Sequence, residues 1–368
     1  MDFTLFMPTK VIFGKQCIFE NGHLFKEFGK KALIITGKSS GKKSGALDDV
    51  IALLKKEEIS YCVFDHVMNN PPLENISEGV LFAKKEKADF IIGIGGGSPI
   101  DAAKAIAALY TNELQPMDLF SHSLKNASLP IIAIPTTAGT GSEVTPYSVL
   151  SVRELKTKKS FSSPYSFPKI AFIDSTYTRS LPDEVTIDTA FDAFSHCMES
   201  YLSLKSNHQS ELFALEGINA FSKCISAIKN RDFTDDIRDY LMYSSYMGGL
   251  AITMTGTNVI HAMGYSMTYF KNISHGHANT LFVGAFLRYN QSTVPEKTEK
   301  MLAILGFKDI MQFERFLLSN IKNEVTLSEE EIREYAQLAC TQKNINNSPK
   351  KVDQSIIENM YSEVVKGV

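Results

Sequence analysis

The chain has no surplus of positive charge. Its 38 Lys and Arg face 41 Asp and Glu among 368 residues, a formal net charge of −3 at pH 7. Phosphate-backbone binding requires a basic excess, so nucleic acid is not an expected partner. No apolar run approaches the roughly 20 residues that span a bilayer. The opening Met-Asp-Phe-Thr-Leu-Phe-Met-Pro lacks a basic n-region and a small-residue cleavage site. No membrane role follows, and the expected compartment is the cytoplasm. Cysteine is sparse: Cys17, Cys62, Cys197, Cys224 and Cys340 are scattered, odd in number and never spaced Cys-x-x-Cys. Neither a disulfide framework nor a thiolate zinc site is indicated, and the five read as reduced, mostly buried thiols. Low-complexity tracts and internal repeats are also missing.

What remains is an ordinary globular composition, 44% hydrophobic and 21% charged. The length suggests two domains at about 150 residues each. The first half alternates short apolar strands (Ala32–Thr36, Tyr61–Phe64, Asp89–Ile94, Leu129–Ile134) with helical patterns near 47–58, 74–87 and 99–110. Nearly continuous apolar strands separated by amphipathic helices imply a parallel sheet covered on both faces. From about residue 183 the pattern becomes helix after helix: 185–204, 210–229, 235–254, 296–305, 328–340 and 354–366. The expected architecture is an α/β parallel-sheet domain over residues 1–180 and an all-helical domain over residues 181–368.

Gly95-Gly96-Gly97-Ser98-Pro99 stands where a buried strand gives way to a helix. Three glycines in a row let a diphosphate approach the backbone amides, and Ser98 with Pro99 reads as an N-cap followed by an N1 proline. Helix N-termini attract anions through free amides and the positive end of the dipole. A tight turn alone would have needed one glycine. The sixth position of the Gly-x-Gly-x-x-Gly fingerprint is Ser98, so this is not that motif. A second hydroxyl- and glycine-rich run, Pro135-Thr-Thr-Ala-Gly-Thr-Gly-Ser-Glu143, follows the next strand at the edge where open α/β sheets hold ligands. Two such loops favour a dinucleotide.

The eight histidines are unremarkable in number but uneven in placement. Asp192 and His196 are four apart in a helical pattern and share one face, so they can chelate one ion. His261 stands in a helical segment, and His275-Gly-His277 reads as a loop leading into an apolar helix. One carboxylate with two or three imidazoles suits Fe²⁺ or Zn²⁺, whereas Mg²⁺ and Ca²⁺ prefer oxygen shells. Taken singly, His261 would be an ordinary packed histidine and Asp192/His196 a helix-surface pair. His23, His66, His122 and His208 have no such neighbours and are assigned to surface or packing.

In order and spacing these motifs resemble the iron-containing (group III) alcohol dehydrogenases over essentially the whole chain. Gly95–Lys104, Pro135–Glu143, Asp192-x₃-His196, His261-Ala-Met-Gly264 and His275-Gly276 carry the likeness. The resemblance implies a dehydroquinate-synthase-like fold, a Rossmann-type N-terminal domain joined to an all-helical one with the active site in the cleft, and a metal held by Asp192, His196, His261 and His275. It further implies that Gly95, Gly96, Gly97, Ser98, Thr136, Thr137 and Thr140 contact the dinucleotide, with Lys158 and Leu181 in addition. Many members carry an Asp after the first strand for the NAD ribose; the corresponding position here is Gly37. Removing that carboxylate leaves room for a 2′-phosphate near Ser39, Ser40 and the Lys38, Lys42, Lys43 cluster, so NADP(H) is expected in preference to NAD(H).

Many members also place a histidine four residues after His261 for proton relay. Here that position is Tyr265, a poorer shuttle near neutrality. His277 or a water chain then takes the relay, or Tyr265 acts as a positioned donor. The reaction implied is metal-assisted hydride transfer between NADP(H) and a small primary alcohol or aldehyde of the butanol or 1,3-propanediol type, with Fe²⁺ expected and Zn²⁺ possible. Met263, Tyr265, Tyr147 and Phe161 are candidate pocket walls. A homodimer pairing the strand Lys10–Gly14 is expected by the same resemblance. The rival readings are a glycerol-dehydrogenase-like zinc oxidoreductase, a dehydroquinate-synthase-type lyase, and a non-catalytic NADP- or metal-binding protein. The His275-Gly-His-Ala-Asn279 segment favours the iron-type branch, and the scarcity of Lys and Arg near the ligands disfavours the lyase.

Overall fold

The structure, a computed structural model, describes residues 2–322 and 325–366. The chain divides into two compact units. Phe6–Leu181 forms one; the chain from Pro182 onward, with the first residues up to Leu5, forms the other.

In the first unit six strands form one parallel sheet: β1 (Lys10–Phe13), β2 (Lys31–Gly37), β3 (Ser60–Val67), β4 (Phe90–Gly95), β5 (Ile131–Pro135) and β8 (Ile170–Ile173). Their order is β1-β8-β5-β4-β2-β3. The strands expected from the sequence are present, with ends shifted by a few residues. Alternation along each strand sends neighbouring side chains to opposite faces. Ile34, Ile92, Ile132 and Phe172 pack on one side with Val50, Leu53 and Leu54 of the helix Ala46–Lys56. Leu33, Ile35, Ile91 and Ile131 pack on the other with the helices Leu73–Glu86 and Gly97–Thr111. Both faces are therefore buried, which explains why these strands read as unbroken apolar runs.

The strand order sets up the ligand-binding edge. From β2 the chain goes outward to β3, returns across to β4 on the other side of β2, and continues to β5. The reversal leaves the loops after β2 and β4 diverging from the carboxyl ends of adjacent strands, the usual position of a ligand in an open α/β sheet. An antiparallel ribbon, β6 (Tyr147–Val152) with β7 (Thr157–Ser162), follows the second glycine-rich loop. It and β8 lacked a sequence signal as clear as that of β2, β4 and β5.

The second unit contains no strand among its described residues. The helix expected over 210–229 is interrupted: it runs as His208–Ser222 and Ile225–Asn230. Between them the Cys224 amide bonds the Phe221 carbonyl at 2.9 Å, a tightened turn that redirects the axis without any Gly or Pro to announce it. No helix of the described residues is long and apolar enough to cross a membrane. Cys17, Cys197 and Cys224 are buried, Cys62 and Cys340 half-buried, and all five are free thiols.

Asn347 ties together the helix ends that present the histidines. Its side-chain amide donates to the Thr255 carbonyl (3.1 Å) and the Thr257 carbonyl (2.7 Å), in the turn between the helices Asp235–Thr255 and Val259–Lys271. Its own carbonyl accepts from the Leu204 amide (2.9 Å), just beyond the helix Asp183–Leu202. Asn347→Ala leaves two main-chain carbonyls without these donors, and should lower unfolding free energy by about 1–3 kcal/mol, measured by urea denaturation.

Candidate functional site

The helical unit gathers three segments around one carboxylate. On the helix Asp183–Leu202, Asp192, His196 and Glu199 fall at i, i+4 and i+7 and share a face. His261 lies in the first turn of Val259–Lys271, whose first amide is capped by the Asn258 side chain at 2.8 Å. His275 opens the short helix His275–Thr280. This corrects the expected loop: the Ser274 hydroxyl accepts from the His277 amide at 3.4 Å, a serine N-cap that lets helix begin at His275 itself. Gly276 permits the close approach of that turn, because a Cβ there would lie 1.8 Å from the Asp188 carbonyl oxygen.

Ligand atoms of Asp192, His261 and His275 all lie within 4.8 Å of one another. His196 joins them, its Nε2 standing 2.9 Å from His261 Nε2, which is 3.6 Å from Asp192 Oδ1. Separations of this size are those of donors around one ion with bonds of roughly 2.0–2.2 Å. Asp192, His196 and His261 are buried and His275 half-buried. Burial alone would push the Asp192 carboxyl up, but His196, His275 and His261 outweigh it and hold the group well below its ordinary value. For His261 burial works downward and the carboxylates of Glu199 and Asp192 outweigh it, raising the imidazole to about 9. Two buried carboxylates thus draw positive charge into the cluster, and the donor set fits a divalent cation of borderline softness.

Two residues that sequence reasoning did not single out complete the arrangement. Glu199 accepts from His261 Nδ1 through one oxygen and from the Ile260 amide (2.9 Å) through the other. That contact orients the ring and turns Nε2 toward Asp192 and His196. Asn279, fully buried, donates Nδ2 to Asp192 Oδ1 at 2.9 Å and lies 3.3 Å from His275 Nε2. The signals existed: Glu199 continues the Asp-x₃-His face by one turn, and Asn279 stands four residues after His275.

Tyr265 and His277 flank His275 differently. The Tyr265 ring lies nearly parallel to that of His275, with centroids 5.8 Å apart. His277 is half-buried, and its Nε2 is enclosed without a hydrogen-bond partner. Burial lowers its pKa, opposed by the Asp188 carboxylate, which accepts from the Ser274 hydroxyl. The remaining histidines, His23, His66, His122 and His208, are exposed.

In the α/β unit the glycine-rich turn differs in detail from its sequence reading. Gly96 is the N-cap of the helix Gly97–Thr111, and Ser98 and Pro99 lie inside the first turn. The Ser98 hydroxyl instead accepts from the Asn70 amide at 3.1 Å. The helix start has no side-chain cap and no acidic residue in its first turn, so its amides face outward unneutralised. Gly96 and Gly97 make room for the second loop: a Cβ would meet the Thr137 hydroxyl at 3.0 Å and the Thr140 methyl at 2.8 Å. Gly95, with φ +147°, needs glycine for conformation as well.

Asn70, also missed, has φ +51° in the turn before Pro71-Pro72. Its side-chain oxygen accepts from buried Lys158 Nζ at 3.0 Å and its carbonyl from the Ser151 hydroxyl at 2.8 Å. It therefore links Ser98 to the β6–β7 ribbon. Thr136, Thr137 and Thr140 follow β5 beside these residues, while Leu181 closes a separate turn, its amide on the Thr178 carbonyl at 3.1 Å. Past the end of β2, Ser39, Ser40, Lys38, Lys42 and Lys43 are exposed, and a Cβ on Gly37 would stand 3.1 Å from the Ser40 hydroxyl. Two candidate pocket walls belong to the interior instead. Phe161 packs in the apolar cluster against the sheet, and Met263 is wholly enclosed, because each falls on the inward face of its element. Tyr147 is half-buried.

Comparison with known proteins finds matches over both units. The family described as "Iron-containing alcohol dehydrogenase" matches residues 8–175, and "Fe-containing alcohol dehydrogenase family, C-terminal" matches residues 186–365. The chain is 31% identical to a 1,3-propanediol dehydrogenase of Citrobacter freundii over 310 residues, 83% of this chain and 79% of that protein. Alcohol dehydrogenase 4 of Schizosaccharomyces pombe is 31% identical over 287 residues, 77% of this chain and 68% of that protein. Among solved structures, an iron-containing alcohol dehydrogenase from Thermotoga maritima superposes with a TM-score of 0.93 at 36% identity, covering 100% of both chains.

If Glu199 orients His261, Glu199→Gln should weaken Fe²⁺ or Zn²⁺ binding by about 10–100-fold in a chelator-competition titration. Wild-type metal affinity in that variant would remove Glu199 from the site.

Proposed function

Because this chain belongs to the iron-containing alcohol dehydrogenases, and is therefore an oxidoreductase acting on alcohols with iron and a nicotinamide cofactor, we propose that it interconverts a small primary alcohol and its aldehyde using NADP(H) in preference to NAD(H). In this reading residues 1–180 hold the dinucleotide and residues 181–368 hold Fe²⁺ through Asp192, His196, His261 and His275. The observation that carries it is the convergence of one carboxylate and three imidazoles in a buried site. A divalent ion with that ligand set keeps one net positive charge and supplies Lewis acidity toward an alcohol or aldehyde oxygen.

The rest is work for the chain's own groups. The amides from Gly95 to Ser98, where β4 turns into the helix, bind the diphosphate, helped by hydroxyls of Thr136, Thr137 and Thr140, with Lys158 and Leu181 completing the cofactor contacts. Ser39, Ser40 and the neighbouring lysines receive the 2′-phosphate that Gly37 leaves room for. In oxidation, a bound nicotinamide would supply the acceptor for the hydride of the carbinol carbon, and the hydroxyl proton has to depart separately. His277 carries that proton away and Tyr265 holds the His275 ring in place. A substrate of butanol or 1,3-propanediol size is supported by the named activity of the Citrobacter relative. The free thiols suit a reducing compartment, and the edge strand β1, paired on one side only, suits a cytoplasmic homodimer.

The test is metal analysis of anaerobically purified protein together with aldehyde reduction by NADPH and NADH. One iron per chain and a higher kcat/KM with NADPH are expected; a clear preference for NADH would sink the cofactor assignment. Gly37→Asp should move that ratio toward NADH. Asp192→Ala or His275→Ala should lose metal and turnover together, and full activity in either would refute the ligand set. His277→Ala should keep its metal while kcat falls by about 10²-fold or more; unchanged kcat ends its role as relay.

A further inference from the structure

Outside the residues assigned above, the α/β unit buries an ammonium group. Lys104 is 0% exposed, near the middle of the helix Gly97–Thr111. Its Nζ donates to the Ser142 hydroxyl (2.7 Å), the Tyr147 carbonyl (2.7 Å) and the Thr145 hydroxyl (3.4 Å), which uses all three of its protons. One turn earlier, Asp101 accepts from the Ser142 hydroxyl at 2.6 Å and from the Val149 amide at 2.9 Å, and its carbonyl accepts from the Ser148 hydroxyl at 2.8 Å. The two charges are 3.8 Å apart. Every one of these partners lies in the stretch 142–149, which takes in the end of the second glycine-rich loop and the residues that follow it.

A buried ion pair is weak evidence for stability, since an apolar pair of similar volume often does as well. What this pair supplies is direction. Both side chains reach from the helix that follows the Gly95–Gly96 turn to the segment that continues from Thr136–Thr140. The contact begins at the helix start, where Gly96 and Gly97 admit Thr137 and Thr140, and continues through the Ser142 amide, 3.4 Å from Thr140 Oγ1. Helix and loop are thus held together over two turns, first by close packing and then by charge-assisted hydrogen bonds. Burial lowers the Lys104 pKa to about 8 and raises that of neighbouring Glu143 to about 7.

We propose that Lys104, clamped by Asp101, is a positioning residue for the dinucleotide: it fixes the Thr136–Ser142 loop against the first turn of the helix, so that both loops present their donors to one ligand. This rests on the reading that the two loops hold NADP(H). Without the clamp the loop has to be ordered when cofactor binds, and affinity falls by that amount.

The experiment titrates the metal-loaded chain with NADPH and NADH, following the fluorescence of the reduced nicotinamide; the chain contains no tryptophan to obscure it. Lys104→Met and Ser142→Ala are compared with the unsubstituted chain for cofactor Kd, metal content, KM and kcat. Lys104→Met should raise cofactor Kd and KM at least tenfold with one metal per chain retained and kcat at saturating cofactor within threefold. Ser142→Ala should shift Kd in the same direction by at least threefold, and it decides the matter if Lys104→Met does not accumulate as folded protein. Wild-type cofactor Kd in Ser142→Ala, or in a folded Lys104→Met, overturns the clamp. So does a fall in kcat and metal content at unchanged Kd. Failure of the unsubstituted chain to bind either dinucleotide overturns the underlying reading, and the clamp with it.

Discussion

The helical unit is organised around a negative charge that cannot stay buried alone. Asp192 lies inside the protein, where an uncompensated carboxylate is untenable, and the surrounding chain supplies the compensation. His196 comes from its own helix, His261 from the helix Val259–Lys271, His275 from a capped single turn, and Asn279 from the end of that turn. Two of these groups are supported from behind. Glu199 backs His261, the Asn258 side chain starts its helix, and Ser274 starts the helix of His275. The order of dependence runs outward from one oxygen atom.

The α/β unit meets a different constraint, that of leaving main-chain amides uncapped where β4 turns into the helix. The sheet order leaves the ends of β2, β4 and β5 adjacent. Glycine at 95–97 clears space, which the threonines of the neighbouring loop then occupy in part. The uncapped start of the helix Gly97–Thr111 is costly by itself, and the fold retains it where an anionic partner would repay the loss.

What could be read in the sequence was whatever follows from spacing along one element. The alternation of strands and helices, the change near residue 180, the Asp192/His196 face and the strand-to-helix position of Gly95–Gly97 all obey local periodicity. What could not be read depends on partners far along the chain. Asn70 carries no signal of its own beyond preceding two prolines, and only its proximity to Ser98 and Lys158 reveals more. Glu199 is in sequence one helical carboxylate among others, and its contacts with Ile260 and His261 set it apart. The His275 turn reads as loop because it is six residues long, too short for a periodic signal, and its serine cap resembles any polar connector. Phe161 and Met263 show the opposite error, in which nearness to a motif suggested a pocket for side chains that the core claims.

Gly276 limits how the proposed metal centre can vary. At that residue the first turn of one helix lies against the Asp188 carbonyl of another, with no space for even a methyl group. The backbones that carry Asp192 and His275 are therefore in contact and cannot move closer together. In the proposed centre a smaller ion would have to be met by rotation of side chains and not by approach of these two helices. Adaptation to another metal should accordingly proceed through the residues that brace the ligands, with the two backbones as a fixed jaw.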